Sequence, residues 1–191
     1  MDKYVYTNSE VLKNKFDIRK SEDLARKERT LTSIRLLEIL DDKSKIKHTF
    51  DLKHLQKIHK YIFQDLYNWA GKLRDVDIAK GGTLFCKAIN IDSFSKDIFS
   101  KLQKENWLKD YSKEEIAEKL AILFLDINAL HPFREGNGRT QREFIRELAE
   151  ERGFILTFKN ISKEKMIELS IKDNPKELAQ FFLADIRDLH K

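Results

Sequence analysis

From Ser112 to Arg152 the chain has little freedom in what it can fold into. Ile116, Leu120, Leu123, Phe124, Ile127 and Leu130 recur at helical spacing, and Ser112 with Glu115 forms a capping box where that pattern begins. Pro132 ends the helix, and a second one is expected from about Asn137 to Arg152, stopped by Gly153. Between them stands His131-Pro-Phe-Arg-Glu-Gly-Asn-Gly-Arg-Thr-Gln-Arg142. Glycines at Gly136 and Gly138 would each cost a helix roughly 1 kcal/mol relative to Ala. A chain that keeps them needs its backbone close to something, and arginines beside glycines at a helix start suggest phosphate.

The remaining periodicity predicts helices on either side. Leu24, Leu31, Ile34, Leu37 and Leu40 set a first helix over about 21–40, followed by a polar connection from Asp41 to His48. Leu52, Leu55, Ile58, Ile62 and Phe63 set a second from Asp51 to about Leu66, broken by Trp69-Ala-Gly71. Helices are expected again over Asp92–Trp107, after Ser162 and at Asn174-Pro175, where Pro takes the first helical position. Residues 73–88 differ: Val76 and Ile78 alternate with acids, and Gly81-Gly82 precedes Thr83-Leu-Phe85, which predicts a β-hairpin as the one extended segment. The expected fold is a single all-α domain, a helical bundle with one small β-hairpin.

Composition excludes several classes. At 191 residues, with 41% hydrophobic and 36% charged, the chain can bury a real core and is not disordered. It has no run of about 18 apolar residues and no apolar signal core, and Cys86 is its one cysteine, so no membrane role is expected and the default is cytoplasmic. The net charge is +5, but 37 basic residues are interspersed with 32 acidic ones, which argues against nucleic acid as a partner.

The loop between the two helices can do chemistry. His131, at the end of an apolar helix, can project its imidazole into a cleft and take a proton from a hydroxyl. Gly136 and Gly138 permit backbone angles that turn successive N–H groups into an anion nest, aligned with the dipole of the following helix. Arg139 and Arg142, three apart, share one side of its first turn and can fork onto phosphate oxygens. Glu135 is the loop's one carboxylate; beside phosphates it needs a cation between, and Mg²⁺ is the natural bridge. Together these parts describe a triphosphate at a helix N-terminus, one metal and a base for an incoming hydroxyl.

The motif resembles the signature of the Fic/Doc (Fido) family, His-x-Phe-x-[Asp/Glu]-Gly-Asn-[Gly/Lys]-Arg-x-x-Arg, at every fixed position. Asn68-Trp-Ala-Gly71, Gly71-Lys-Leu-Arg74 and Lys80-Gly-Gly-Thr-Leu-Phe85 resemble the family's flap hairpin and the segment before it. The likeness covers about residues 49–187, a Fido domain, and leaves 1–48 as an N-terminal helical extension. The resemblance implies AMP transfer from ATP to a Ser, Thr or Tyr hydroxyl of a target protein. In that reading His131 is the general base and Phe133 the core anchor. Glu135 binds Mg²⁺, and Gly136, Asn137 and Gly138 line the anion hole. Arg139 contacts the β-phosphate and Arg142 the γ-phosphate; Lys80 and Gly81 border the nucleotide. The flap, Asp77–Cys86, would hold the target segment by strand pairing.

Two features refine the resemblance. Phosphate-transferring Doc proteins carry Lys or Arg where Gly138 stands, so Gly138 favours adenylylation. No run of the form [Ser/Thr]-x-x-x-Glu-[Gly/Asn], the family's inhibitory helix, is found, so the resemblance implies that Arg142 is either left free for ATP or blocked by a separate small antitoxin that carries the Glu, the second being the expectation for a toxin-like enzyme. Alternatives are a nucleotide-binding interaction module without turnover, and transfer of another nucleotide or of phosphate.

Overall fold

The computed structural model describes residues 2–42, 45–80 and 83–189. The expected Gly81-Gly82 turn and the nucleotide contact of Gly81 lie outside the described residues. Among the described residues seven α-helices follow in order: α1 (Ser21–Asp41), α2 (Leu52–Phe63), α3 (Ile91–Lys104), α4 (Lys113–Leu130), α5 (Asn137–Glu151), α6 (Lys163–Lys172) and α7 (Pro175–Asp185). β1 (Ala79–Lys80) pairs antiparallel with β2 (Thr83–Leu84), with Lys80 opposite Thr83. The all-α fold with one small hairpin is as the sequence predicts.

α4 is the centre of the bundle and packs against α3, α5 and α7. Its capping box is present, with the Ser112 hydroxyl accepting the Glu115 N–H and Glu115 accepting the Ser112 N–H. Ile116, Leu120, Ala121, Phe124, Ile127 and Leu130 are buried on it. α2 lies across α5 and α1 and buries Leu55, Ile58, Ile62 and Phe63 completely. Burying one such side chain is worth about 1.5–3 kcal/mol, so α2 and α4 supply much of the core.

Four expectations need correction. The apolar face of α1 predicted at Ile34, Leu37 and Leu40 is exposed, with Leu37 64% accessible, while Leu24, Thr32 and Ile39 are buried. Polar latches turn the helix that way: Arg35 grips Asp65 at 2.6 and 2.9 Å, and the Tyr61 hydroxyl donates to Glu38 at 2.9 Å. The hairpin has two-residue strands, because the carbonyls of Val76 and Cys86, on its two arms, accept the Arg74 guanidinium. It is also not the one extended segment: β3 (Phe154–Ile155) pairs with β4 (Arg187–Asp188), a ladder too short to leave a periodic signal. α3 stops at Lys104, short of Trp107, since Asn106, Trp107 and Leu108 take left-handed backbone angles.

The core holds two fully buried histidines, His54 and His59. His54 sits with His48 and Glu147, the one set of His and carboxylate groups among the described residues within reach of a shared cation. The geometry argues against ligation. The two imidazoles are stacked 28° apart, so their in-plane lone pairs do not converge. His54 Nδ1 accepts the Phe50 N–H at 3.3 Å, which puts the ring proton on Nε2, 2.7 Å from Glu147 Oε2. Burial pushes Glu147 up, towards the neutral acid.

Burial also pushes His54 down to about 4 and His59 down to about 3. Below the usual histidine pKa of about 6.5 the unfolded chain takes up protons that these folded rings refuse, so stability is lost as pH falls from about 6.5 towards 4. Glu147 acts with the opposite sign, since its raised pKa lets the folded state hold a proton the unfolded state releases. The histidines outnumber it. The melting temperature is expected to fall between pH 7 and pH 5. In His54→Gln the pH slope of the unfolding free energy, from denaturant titrations, should be shallower by at most about 1.4 kcal/mol per pH unit below pH 6.5, one proton's worth. A flat or rising wild-type profile would contradict this.

Candidate active site

α4 ends where the sequence places His131. That residue caps the helix in the left-handed region, at φ 43, with Pro132 next in the chain. Non-glycine residues adopt this conformation at a cost, and such strain persists where surrounding contacts enforce it. The enforcing contact is Arg74, which is buried and points its guanidinium at the end of α4. Its Nε donates to the His131 carbonyl at 2.8 Å, and further N–H groups reach the carbonyls of Leu130, Val76 and Cys86. A cation at a helix C-terminus also complements the helix dipole. Main-chain bonds from Arg74 N–H to Pro132 and from Cys86 N–H to Ala129, both 2.9 Å, complete the joint between flap and helix.

The loop from Phe133 to Gly136 is fixed from inside. Phe133 is fully buried and stacks on His59 with ring centroids 3.9 Å apart. His59 Nδ1 accepts the Gly71 N–H at 2.8 Å, so its Nε2 carries the proton and donates to the Glu135 carbonyl at 3.0 Å. The Asn137 side chain clamps the Phe133 backbone, accepting its N–H at 2.9 Å and donating to its carbonyl at 2.7 Å. From outside, Asp2 holds Arg134 at 2.7 and 3.0 Å, while Lys3 and Tyr4 hold Asp75 at the root of the flap.

Gly136 and Gly138 are not equivalent, contrary to the expectation that both supply unusual angles. Gly136 has φ +84 and lies so close to Phe63 that a Cβ would stand 2.3 Å from the ring. Gly138 is in the first turn of α5, and a Cβ there would meet only Arg142 Nη1, at 3.5 Å. Its smallness keeps the helix N-terminus open rather than bending it.

These elements enclose a cavity of about 570 Å³. His131, Glu135, Gly136, Asn137, Gly138, Arg139 and Arg142 form one wall, Lys80 and Phe85 of the flap a second, and Glu28, Thr32 and Leu36 of α1 a third. The sequence-predicted site residues that are described are thus brought together, and α6 closes the far side with Lys163, Met166 and Ile167.

Each charged group has a distinct setting. His131 Nδ1 lies 3.3 Å from the Asn128 carbonyl, which can only accept, so Nδ1 carries the proton and Nε2 keeps its lone pair. Phe85 stacks on the ring at 3.7 Å. Burial pushes His131 down to about 4, below the near-neutral value expected of an exposed histidine, so the ring is an unprotonated base at pH 7. One Glu135 oxygen accepts the Gly136 N–H at 2.9 Å; the other has no hydrogen-bond or ion-pair partner among the described residues.

The two arginines differ most. Arg139 is paired with Glu28, donates to the Thr32 hydroxyl at 2.9 Å and lies over the Phe63 ring. Arg142 is half-buried and engages no acceptor among the described residues. Burial and the neighbouring Arg139 lower its pKa. Sequence reasoning missed Glu28, Thr32 and His59, because nothing in the periodicity of α1 or α2 says which polar residue meets the loop, and Arg74, whose partner His131 is 57 positions away.

Replacing Gly136 with Ala should lower stability by about 2–5 kcal/mol, from backbone strain plus a clash with Phe63. Gly138→Ala should stay within about 1 kcal/mol of wild type. Denaturant unfolding of both variants checks this, and equal losses would refute the division of roles.

Comparison with known proteins gives a consistent picture. The model described as the Fic/DOC family matches residues 49–149. The chain is similar to the protein adenylyltransferase VbhT of Bartonella schoenbuchensis, 37% identical over 171 residues, covering 90% of this chain and 35% of that longer protein. It is similar to the probable protein adenylyltransferase Fic of Escherichia coli K12, 34% identical over 163 residues, covering 85% and 80% of the two chains. Among solved structures it resembles the N-terminal Fic domain of a VirB-translocated Bep effector from Bartonella quintana with bound ADP, at a TM-score of 0.88 and 28% identity, covering 98% and 95%. It also resembles the BepC protein of Bartonella tribocorum with bound AMPPNP, at 0.86 and 25%, covering 97% and 96%.

Proposed function

The chain belongs to the Fic/DOC family, and we propose that it is a protein adenylyltransferase, moving AMP from ATP to a hydroxyl of a target protein. The observation that carries this reading is Arg142. A half-buried guanidinium with no acceptor among the described residues, in the second turn of α5 and in one cavity with an unprotonated histidine, fits a polyanion.

In the proposed reaction the target hydroxyl attacks the α-phosphorus. One O–P bond forms, the bond to the bridging oxygen of the β-phosphate breaks, and pyrophosphate leaves. His131 Nε2 takes the hydroxyl proton. Its low pKa in the protein alone is no obstacle, since the negative charge of a bound triphosphate raises the pKa of a neighbouring base. Arg139 is assigned to the β-phosphate and Arg142 to the γ-phosphate. The N–H groups of Gly136, Asn137 and Gly138 stabilise charge at the helix start. The Asn137 side chain, occupied on Phe133, acts by holding the loop.

Glu135 fits a Mg²⁺ site, since its second oxygen has no partner among the described residues and this ion commonly takes one or two carboxylates besides phosphates and water. Bound there, Mg²⁺ would neutralise phosphate charge. Lys80 faces the same cavity from the flap, and the target segment is assigned to the flap, Asp77–Cys86, by strand pairing. Restraint by a separate antitoxin is supported by the exposed Ile34, Leu37 and Leu40 on α1. A groove lined by Leu36, Leu40, Arg142 and Phe154 would take an amphipathic helix with one acidic residue. No described helix is long and apolar enough to cross a membrane.

Incubated with ATP and Mg²⁺, alone or with host lysate, wild type should add about 329 Da per site to itself or to a target by intact mass, and His131→Ala should add none. Arg142→Ala should bind ATP at least about tenfold more weakly, on the order of one lost charge-assisted contact. A gain of about 80 Da would move the reading to phosphate transfer, and nucleotide binding without any transfer would make the protein a binding module.

A further inference from the structure

The contact between α1 and the motif has a chemical consequence of its own, which rests on the reading of the cavity as a nucleotide site. We propose that Glu28 is a positioning residue for the nucleotide's β-phosphate, acting through Arg139.

Glu28 lies outside the matched motif, one wall away from the loop, and its side chain is 13% exposed. Both its oxygens are committed. Oε1 accepts Arg139 Nη2, and Oε2 accepts the Tyr67 hydroxyl. Burial, with Glu28 beside it, holds the Tyr67 phenol far above its usual pKa, so it stays a donor. Thr32, one turn further along α1, gives its hydroxyl proton to the Glu28 carbonyl at 2.8 Å, which leaves a lone pair for Arg139 Nη1 at 2.9 Å. The Phe63 ring supports the flat face of the guanidinium, 4.9 Å from the centroid.

Arg139 is therefore held at two nitrogens and one face before any ligand arrives. Of the five N–H donors of an arginine, two are taken by Glu28 and Thr32, and three remain for the cavity. A long arginine left free would lose rotamer entropy on gripping phosphate. Arg139 has lost it already, whereas Arg142, with no partner among the described residues, has not. Glu28 also halves the net charge of the arginine pair. That keeps the two cations from repelling each other across one helical turn.

The test measures binding of AMP and of ADP, each with Mg²⁺, to wild type, Glu28→Ala, Glu28→Gln, Arg139→Ala and the Glu28→Ala/Arg139→Ala double variant, by calorimetry. AMP lacks the β-phosphate, so it separates positioning from general support of the cavity wall. Glu28→Ala is expected to weaken ADP about tenfold and leave AMP within about twofold, on the order of one charge-assisted contact. Glu28→Gln, which keeps a side-chain acceptor for Arg139, should recover part of the loss. In the Arg139→Ala background, Glu28→Ala should add nothing. Tighter ADP binding in Glu28→Ala would overturn the proposal, since Glu28 would then be a competitor of phosphate. Equal loss of AMP and ADP, or no loss of either, would overturn it as well. Wild type that binds neither nucleotide would overturn the nucleotide reading itself and this inference with it, whereas intact wild-type binding with an unaffected Glu28→Ala sinks this inference alone.

Discussion

One buried guanidinium holds the working parts of this molecule together. Arg74 reaches carbonyls at the end of α4 and on both arms of the flap. Lysine could not do this, because its donors radiate from a point and arginine's spread in a plane. A buried arginine whose acceptors are backbone carbonyls rather than a carboxylate is costly unless every donor is used. The carbonyls come from segments far apart in the chain, so the arrangement forms only when helix end and flap have docked. The left-handed turn at His131 depends on it, and so does the plane in which that imidazole is presented.

The electrostatics of the cavity follow from which charges are already answered. Arg139 is answered by Glu28 and Arg134 by Asp2, both from the N-terminal stretch. Arg142 is not answered by any of the described residues. His131 is neutral because it is desolvated, and its tautomer is set by one carbonyl of its own helix. A site with one settled cation, one unsettled cation and one neutral base favours a ligand that brings negative charge and a proton to give up.

Much of this could be read in the sequence, for reasons that differ by element. α4 has strong periodicity, a capping box and a proline stop, and α5 runs from the Gly136 turn to the Gly153 stop; each signal has a local physical cause, so the bounds of both helices match within a residue or two. The loop residues were legible because their spacing is chemically improbable for a plain connection. α1 was placed correctly along the chain but rotated wrongly, since its leucine stripe suggested a buried face and ion pairs to Asp65 and Arg139 decided otherwise. Arg74, His59 and Glu28 were invisible as site residues because their partners are 57, 76 and 111 positions away. β3 and β4 are two residues each and carry no period at all.

An unanswered guanidinium changes what affinity means in this cavity. Arg142 sits in a half-desolvated setting where any small oxyanion is attractive, sulfate and inorganic phosphate included. In a solution that contains them, nucleotide entry is an exchange of one anion for another. The measured strength is then a difference between two ligands. Two laboratories working in different buffers would obtain different constants from the same molecule, and both would be right.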